Sequence, residues 1–251
     1  MKTTRRTLIA ASLAAIAAVS VPVAVRGWSD GDEDEICFSR TEVFIELNSS
    51  AEDVGIQVML DGEPWKIVTA RDPRGRRILD ILAKSSVRRQ GLTELFFESS
   101  EPPFDEVSLA EFLARFPEGE YEFEGMTIDG QKIEGEAMFT HVIPAGPEIT
   151  SPEQSEDDPP VVDPCDTVIE WEPVTETFFG SCDIEIVNYE VIVVQLDPHR
   201  EFKVDLPPTQ TSVTVPKEFL QLRGTRYEFE ILAKEVSGNQ TITEGEFVTA
   251  D

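Results

Sequence analysis

Few side chains in this sequence could do covalent chemistry. The chain of 251 residues holds two histidines, His141 and His199, and three cysteines, Cys37, Cys165 and Cys182. The histidines fall in separate halves of the sequence, and no Ser-His-Asp arrangement can be argued from them. His141, just before Pro144, reads as a surface or strand-capping residue. G-x-S-x-G, H-E-x-x-H and C-x-x-C are absent, as are the P-loop and dinucleotide fingerprints. Carboxylates are so numerous, 49 Asp and Glu, that finding two near each other in sequence says nothing. A glycosidase needs two facing each other across a cleft at a defined separation. The expectation is a protein without enzymatic activity; the competing class is a carbohydrate-active hydrolase or its accessory protein.

Oxygen donors for a hard cation are better represented. Glu46, Asn48, Glu52 and Asp53 crowd a short stretch ending at Gly55, and calcium favours clustered carboxylate and carbonyl oxygens. The spacing is not that of an EF-hand, and a solvated polar turn between two strands is the competing reading. A calcium-stiffened surface protein is therefore a further alternative, and no other cofactor is expected. Basic residues cluster at Arg71, Arg74, Arg76 and Arg77 and again at Arg88 and Arg89. They could dock an acidic partner or the protein's own acidic surface, and in so acidic a chain the second is expected.

The formal net charge is −28, with 40% apolar and 28% charged residues. Such a surface repels nucleic acid and anionic lipid head groups, which sets aside groove-binding and phosphate-cradling functions. The N-terminal run MKTTRRTLIAASLAAIAAVSVPVA has a basic start, an Ala-rich apolar stretch and small residues at possible cleavage points, the build of a signal peptide over residues 1–27. Arg5 and Arg6 before Leu8 also suit a twin-arginine signal, so both export routes stay open. The mature protein is expected in the periplasm or outside the cell, with no stable membrane insertion after cleavage. Export permits disulfides. Cys165 with Cys182 closes a loop of about 17 residues, worth roughly 3 kcal/mol. That pairing needs the loop to fold back, because a strand from Cys165 to Trp171 would put the loop's start roughly 20 Å away at about 3.3 Å per residue. The fate of Cys37 stays open.

The elements around these residues read as sheet. Val43, Ile45 and Leu47 alternate with polar neighbours, as do Ile56, Val58 and Leu60, and Asp61-Gly62 is a turn signal. Leu92 to Phe97 is a further strand. Tyr121 to Met126 pairs with Lys132 to Phe139 across Asp129-Gly130. Ser108 with Glu111 predicts a capping box opening one short helix that Pro117 ends. A proline- and acid-rich stretch, 145–164, separates residues 36–144 from residues 165–251 and reads as a linker overlapping the start of the second domain.

The second half carries more specific marks. Trp171 lies near its start, Tyr189 and Val191 sit in a long strand from Ile186 to Leu196, Leu222, Gly224, Thr225 and Tyr227 lead into YEFEILA, and Gly238-Asn239 turns the final hairpin. These residues resemble a fibronectin type III domain. The resemblance implies a buried tryptophan at Trp171, a Y-x-V strand, a tyrosine corner at Tyr227 and a structural core formed by Trp171, Tyr189, Leu222 and Tyr227. EFLARFPEGEYEFE from Glu111 and EFLQLRGTRYEFE from Glu218 are also alike, so the first half is expected to be a divergent sandwich of similar type, with Tyr121 in the corner role. The expected fold class is all-β, two tandem antiparallel sandwiches. The expected function is an exported binding, adhesion or spacer protein whose partner is another extracytoplasmic protein or a polysaccharide. Contact residues would sit in end loops such as Thr175 to Ser181, with Phe178 and Phe179.

Overall fold

The structure is a computed structural model that describes residues 36–155, 158–181 and 184–251. The expected signal peptide, the acidic run before Ile36, Glu156, Asp157 and Cys182 lie outside the described residues.

The first half contains β1 (Ile36–Cys37), β2 (Arg40–Asn48), β3 (Asp53–Arg71), β4 (Arg77–Leu82), α1 (Ser85–Gln90), β5 (Leu92–Glu98), α2 (Leu109–Arg115), β6 (Gly119–Thr127) and β7 (Lys132–Phe139). The second contains β8 (Ile149–Ser151), β9 (Val161–Val162), β10 (Val168–Trp171), β11 (Ile186–Gln195), β12 (Arg200–Leu206), β13 (Ser212–Thr214), β14 (Arg226–Glu235) and β15 (Gln240–Thr249). The protein is all-β, as expected, with two short helices where the sequence announced one. The announced helix is α2, whose Ser108 hydroxyl accepts the Glu111 amide at 3.3 Å. The other, α1, has no side-chain cap and no acid in its first turn, so it left no signal to read.

In the second half, β8, β10 and β13 form one sheet in the order β13-β10-β8, and β15, β14, β11 and β12 form the facing one. Between them lies a core of Ile169, Trp171, Tyr189, Val191, Val193, Tyr227, Phe229, Ile231 and Phe247. The period of two that puts Tyr227, Phe229 and Ile231 inside turns Glu228, Glu230 and Leu232 to the opposite face. A three-stranded sheet against a four-stranded one is the sandwich implied by the fibronectin type III resemblance.

The first half repeats this connectivity strand for strand. β2 and β5 flank the start of β3, while β4 and β6 flank its end, with β7 beyond β6. Residues 36–139 thus form a three-stranded sheet facing a four-stranded one, and a single strand, β3, belongs to both. Short parallel strands dock on the last hairpin strand in each half, β1 on β7 and β9 on β15. Register repeats as well. Tyr121 pairs Ala137 and Phe123 pairs Gly135, as Tyr227 pairs Phe247 and Phe229 pairs Gly245.

The Asp61-Gly62 turn predicted from sequence is absent, because β3 runs through both residues. The pairing of β3 slips between Asp61 and Trp65 and again between Trp65 and Ile67. Such irregularities bend a strand, which is how it changes sheets. Gly62 permits the crossing: a side chain there would begin 3.0 Å from the Phe38 ring and 3.1 Å from Ile133. Pro64, with no N–H to leave unpaired, falls within the same irregular stretch and accepts the Ile128 amide on its carbonyl.

The two sandwiches share a sheet. β2 pairs β15 in parallel, Glu46 with Gln240, Leu47 with Thr241 and Asn48 with Ile242, so the larger sheet runs β1-β7-β6-β3-β2-β15-β14-β11-β12.

Candidate functional site

The seam between β2 and β15 concentrates the buried polar chemistry of the protein. At its centre Asn239, buried at the tip of the β14–β15 hairpin, accepts the Ile45 amide on Oδ1 at 2.8 Å. Its Nδ2 donates to the carbonyls of Thr140 at 3.0 Å and Val142 at 2.8 Å. The Thr241 hydroxyl donates to the Pro144 carbonyl at 2.6 Å, and Ser49 donates to the Ile242 carbonyl at 2.7 Å. One amide side chain therefore ties the end of the first sandwich to the last hairpin of the second. The sequence had offered Asn239 only as a turn residue after Gly238, whose φ of 100° confirms that turn.

Beside this seam three carboxylates converge. Oxygens of Glu46, Glu98 and Glu101 all lie within 4.8 Å of one another. Glu46 projects from β2 and Glu98 ends β5. Room for Glu101 exists because Gly55, paired with Glu46, has no side chain: a Cβ there would sit 2.6 Å from the Glu101 Oε1. Gln240 and Gln57 hydrogen-bond the Glu46 carboxylate, but burial dominates and lifts its pKa to about 7. Burial, with the charges of Glu46, Glu98 and Asp53, pushes Glu101 well above the usual carboxylate range. The acidic strip continues across the same face of the shared sheet. Glu230 is raised to about 8 by burial and by Glu244, Glu46, Glu190 and Glu201. Glu190 is raised by burial despite the Lys203 ammonium 2.6 Å away.

These three glutamates are the described residues that could hold a cation, and only Glu46 belongs to the set expected from sequence. Asn48 is committed elsewhere: its Oδ1 accepts the Ser50 and Ala51 amides at 3.0 and 2.9 Å, and its Nδ2 donates to Glu244 at 2.7 Å. Glu52 lies in the turn itself with φ of 55°. Asp53 starts β3 and acts on Glu101 through its charge. Glu98 and Glu101 had no sequence signal, because only the β3–β5 register brings them to Glu46.

The residues named for the core divide. Trp171, Tyr189 and Tyr227 are buried, and Trp171 meets the Tyr189 ring edge-on at 5.3 Å. The Tyr189 hydroxyl accepts the Val174 amide at 2.8 Å. The Tyr227 hydroxyl donates to Gln195 at 3.2 Å and lies against the Leu222 backbone. Tyr121 donates to the carbonyl of Pro117, four residues upstream, at 3.2 Å, the same back-bonding in the first sandwich. Leu222 is not core. Its side chain is 40% exposed, and Phe219 and Leu220 take the interior positions that the sequence reading assigned to it. What Leu222 contributes is backbone, its carbonyl accepting the Thr249 hydroxyl at 2.6 Å. Trp65, fully buried in the first core, pairs with Thr127 as Tyr189 pairs with Ala233, so it takes the place of Tyr189 in the first sandwich.

Cys165 is exposed beside a shallow depression of about 350 Å³ that Lys217 and Arg223 help to line, and its pairing with Cys182 falls outside the described residues. His141 is structural. Its Nε2 lies 2.8 Å from the Phe116 carbonyl, and its ring meets Phe139 edge-on. In the Thr175 to Ser181 loop, Phe178 packs edge-on against Phe104 of the first sandwich at 6.4 Å, and its amide donates to the Ile143 carbonyl. Phe179 stands 62% exposed beside it. The basic residues split between two roles. Arg76 pairs with Asp72 at 2.6 Å and Arg77 with Asp80 at 3.6 Å, whereas Arg74, Lys84, Arg88 and Arg89 have no ion-pair partner among the described residues.

No family model and no curated protein matches the chain. Among solved structures it is similar to a two-domain fibronectin type III segment of chicken tenascin, at 13% identity and a TM-score of 0.31, over 84% of this chain and 98% of that one. It is also similar to the FN1–FN3 domains of chicken CNTN1, at 11% identity and a TM-score of 0.34, over 86% of this chain and 65% of that one. A third, a 1.5-MDa bacterial ice-binding adhesin, matches at 11% identity and a TM-score of 0.24, over 86% of this chain and 66% of that one. No helix among the described residues is long and apolar enough to cross a membrane.

Proposed function

We propose that this protein is a non-enzymatic binding and spacer module acting outside the cytoplasm, in which two β-sandwiches work as one stiff unit. The observation that carries this reading is the seam. Strand pairing between β2 and β15 and the four hydrogen bonds made by the Asn239 side chain to Ile45, Thr140 and Val142 replace a flexible joint with continuous sheet. A module of this kind fixes the separation and orientation of whatever its loops and edges hold, and it needs no reactive side chain. Export is supported by the N-terminal sequence, and the acidic surface favours a basic or neutral partner over nucleic acid.

Backbone ¹⁵N relaxation on the mature protein tests the reading. One rotational correlation time shared by both sandwiches is expected; two independent values would refute the stiff unit. A screen of glycosidase and esterase substrates, run beside a glycan and matrix-protein array, tests the rest. Saturable binding without turnover is the expected result, and hydrolysis of any substrate would assign the protein to the enzyme class instead.

A further inference from the structure

The fold leaves one strand edge open. β4 pairs only with β3 among the described residues. Its hydrogen-bonding phase follows from the Ala83 amide, which donates to the Lys66 carbonyl at 2.9 Å in register with the ladder. Antiparallel ladders alternate, so Ile81 and Leu79 share the inward phase of Ala83. The N–H and C=O groups of Asp80 and Leu82 then point away from β3, toward solvent. Side chains agree: Leu79 and Ile81 pack on the first core, while Ile78 and Leu82 are 42% and 50% exposed. Natural edges are usually blunted by a central lysine, a proline or a bulge. Here the ladder slips once, at Ile78 between the Leu79 and Arg77 pairs, and beyond that bulge residues 79–82 have only Asp80, which the Thr69 hydroxyl engages at 2.8 Å and Arg77 at 3.6 Å.

Charge marks what this edge would accept. Between positions 71 and 89 seven basic residues stand against Asp72 and Asp80, in a chain whose net charge is −28. They bracket the strand, with Arg74 before it, Arg77 at its first position and Lys84, Arg88 and Arg89 after it, all exposed. The two groups are about seven residues apart, roughly 23 Å at 3.3 Å per residue. Asp72 holds the leading group in place. Burial opposes its ionisation, but the Arg76 side chain and the amides of Arg76 and Arg74 outweigh it and keep the carboxyl below its ordinary range. Arg74, Arg88 and Arg89 are left with no carboxylate of their own, contrary to the expectation that the chain's acidic surface would absorb them.

We propose that β4 is a docking edge for an extended, acid-bearing segment of another protein, which adds to the sheet as a further strand. Its backbone pairs with the outward groups of Asp80 and Leu82, its apolar side chains cover Ile78 and Leu82, and carboxylates at its two ends meet the basic groups. A second copy of this chain is a poor occupant: antiparallel self-pairing about Asp80 brings like charges together at both ends, on two molecules that already repel. The proposal rests on the binding-module reading and names its partner class.

The test uses the mature protein and a ten-residue peptide, Glu-Glu-Val-Thr-Val-Thr-Val-Thr-Glu-Glu, followed by titration calorimetry and amide hydrogen exchange. Saturable binding is expected, weakened at least tenfold by R88E/R89E and by raising the salt from 50 to 500 mM. Slowed exchange is expected at Asp80 and Leu82. Arg88 and Arg89 are exposed and unpaired, so the variant should keep the wild-type circular dichroism spectrum. A version with lysine at the four glutamate positions should not bind, nor should one N-methylated along its pairing edge. The proposal is overturned by absence of binding at millimolar peptide, by equal binding of the lysine peptide, by indifference to R88E/R89E, or by self-association through β4 in sedimentation. None of these outcomes touches the relaxation or turnover tests of the module itself.

Discussion

The side-chain oxygen of Asn239 accepts the backbone N–H of Ile45 at 2.8 Å, across 194 positions of sequence. Ile45 is an interior residue of the first core, so a hairpin tip of one sandwich completes the hydrogen bonding of the other's edge strand β2. Asn239→Ala would leave that buried amide, and the part-buried carbonyls of Thr140 and Val142, without their partner. A loss of about 3 kcal/mol in urea unfolding is expected, since each orphaned buried group costs roughly 1–3 kcal/mol. Separate melting of the two halves in the variant, against one transition in the wild type, would show that the seam couples them.

The glutamates of the acidic strip set a pH dependence. Glu46 and Glu230 bind protons more tightly in the folded chain than at their ordinary 4.5, holding them to about 7 and 8. A carboxyl raised on folding contributes most below its unfolded value, and that contribution disappears as pH climbs through the folded one. The melting temperature should therefore fall between pH 5 and pH 8. Glu46→Gln with Glu230→Gln should flatten that slope, because the amides cannot ionise. A wild-type profile level over this window would disprove the assignment.

Two glycines separate a rigid neighbour from a yielding one. A methyl group at Gly245 would collide with the buried Phe229 ring, which has nowhere to go. Gly245→Ala should cost about 1–3 kcal/mol, the range for overpacking a core. A methyl at Gly55 meets only the flexible Glu101 side chain, its Oε1 at 2.6 Å and its Cγ at 2.8 Å. Gly55→Ala should cost well under half as much in the same denaturation assay and should disperse the carboxylate trio, restoring part of Glu101's ordinary acidity.

If the first sandwich is built on the same plan as the second, their tyrosine hydroxyls should matter alike. Tyr121→Phe removes the bond to the Pro117 carbonyl, and Tyr227→Phe removes the bond to Gln195. Each loss should be about 1 kcal/mol, as for an ordinary intramolecular hydrogen bond. A loss confined to Tyr227→Phe would mean that Tyr121 only resembles its counterpart in position.

Much of this architecture can be read from local sequence. Alternation marks β2, β6, β7 and β14; turn glycines at 130 and 238 take the positive φ their positions predict; and the capping serine opens α2. The repeat of YEFE before a glycine-bearing strand turns out to be a repeat of register. What could not be read is whatever depends on strands far apart in sequence. Asp61-Gly62 has the composition of a turn, yet tertiary packing of Phe38 and Ile133 straightens it into the crossing of β3. The carboxylate trio needs β5 to lie beside β3, and the seam needs β15 beside β2. No local pattern encodes a parallel pairing of only three residue pairs, so Asn239 looked like a turn residue and Glu98 and Glu101 like solvated surface. At Leu222 the motif's spacing marks a backbone position, whose carbonyl accepts the Thr249 hydroxyl, and not an interior side chain.

The parallel seam also has an order in time. β2 is among the first described segments to leave the ribosome, whereas its partner β15 is among the last, so throughout synthesis the first sandwich carries an open edge that only the end of the second can close. Any delay there exposes a strand rich in buried apolar residues to other nascent chains. Completion of the module is thereby tied to delivery of its final hairpin, and a product lacking Gln240–Thr249 would lose both its own sandwich edge and the shield over its neighbour.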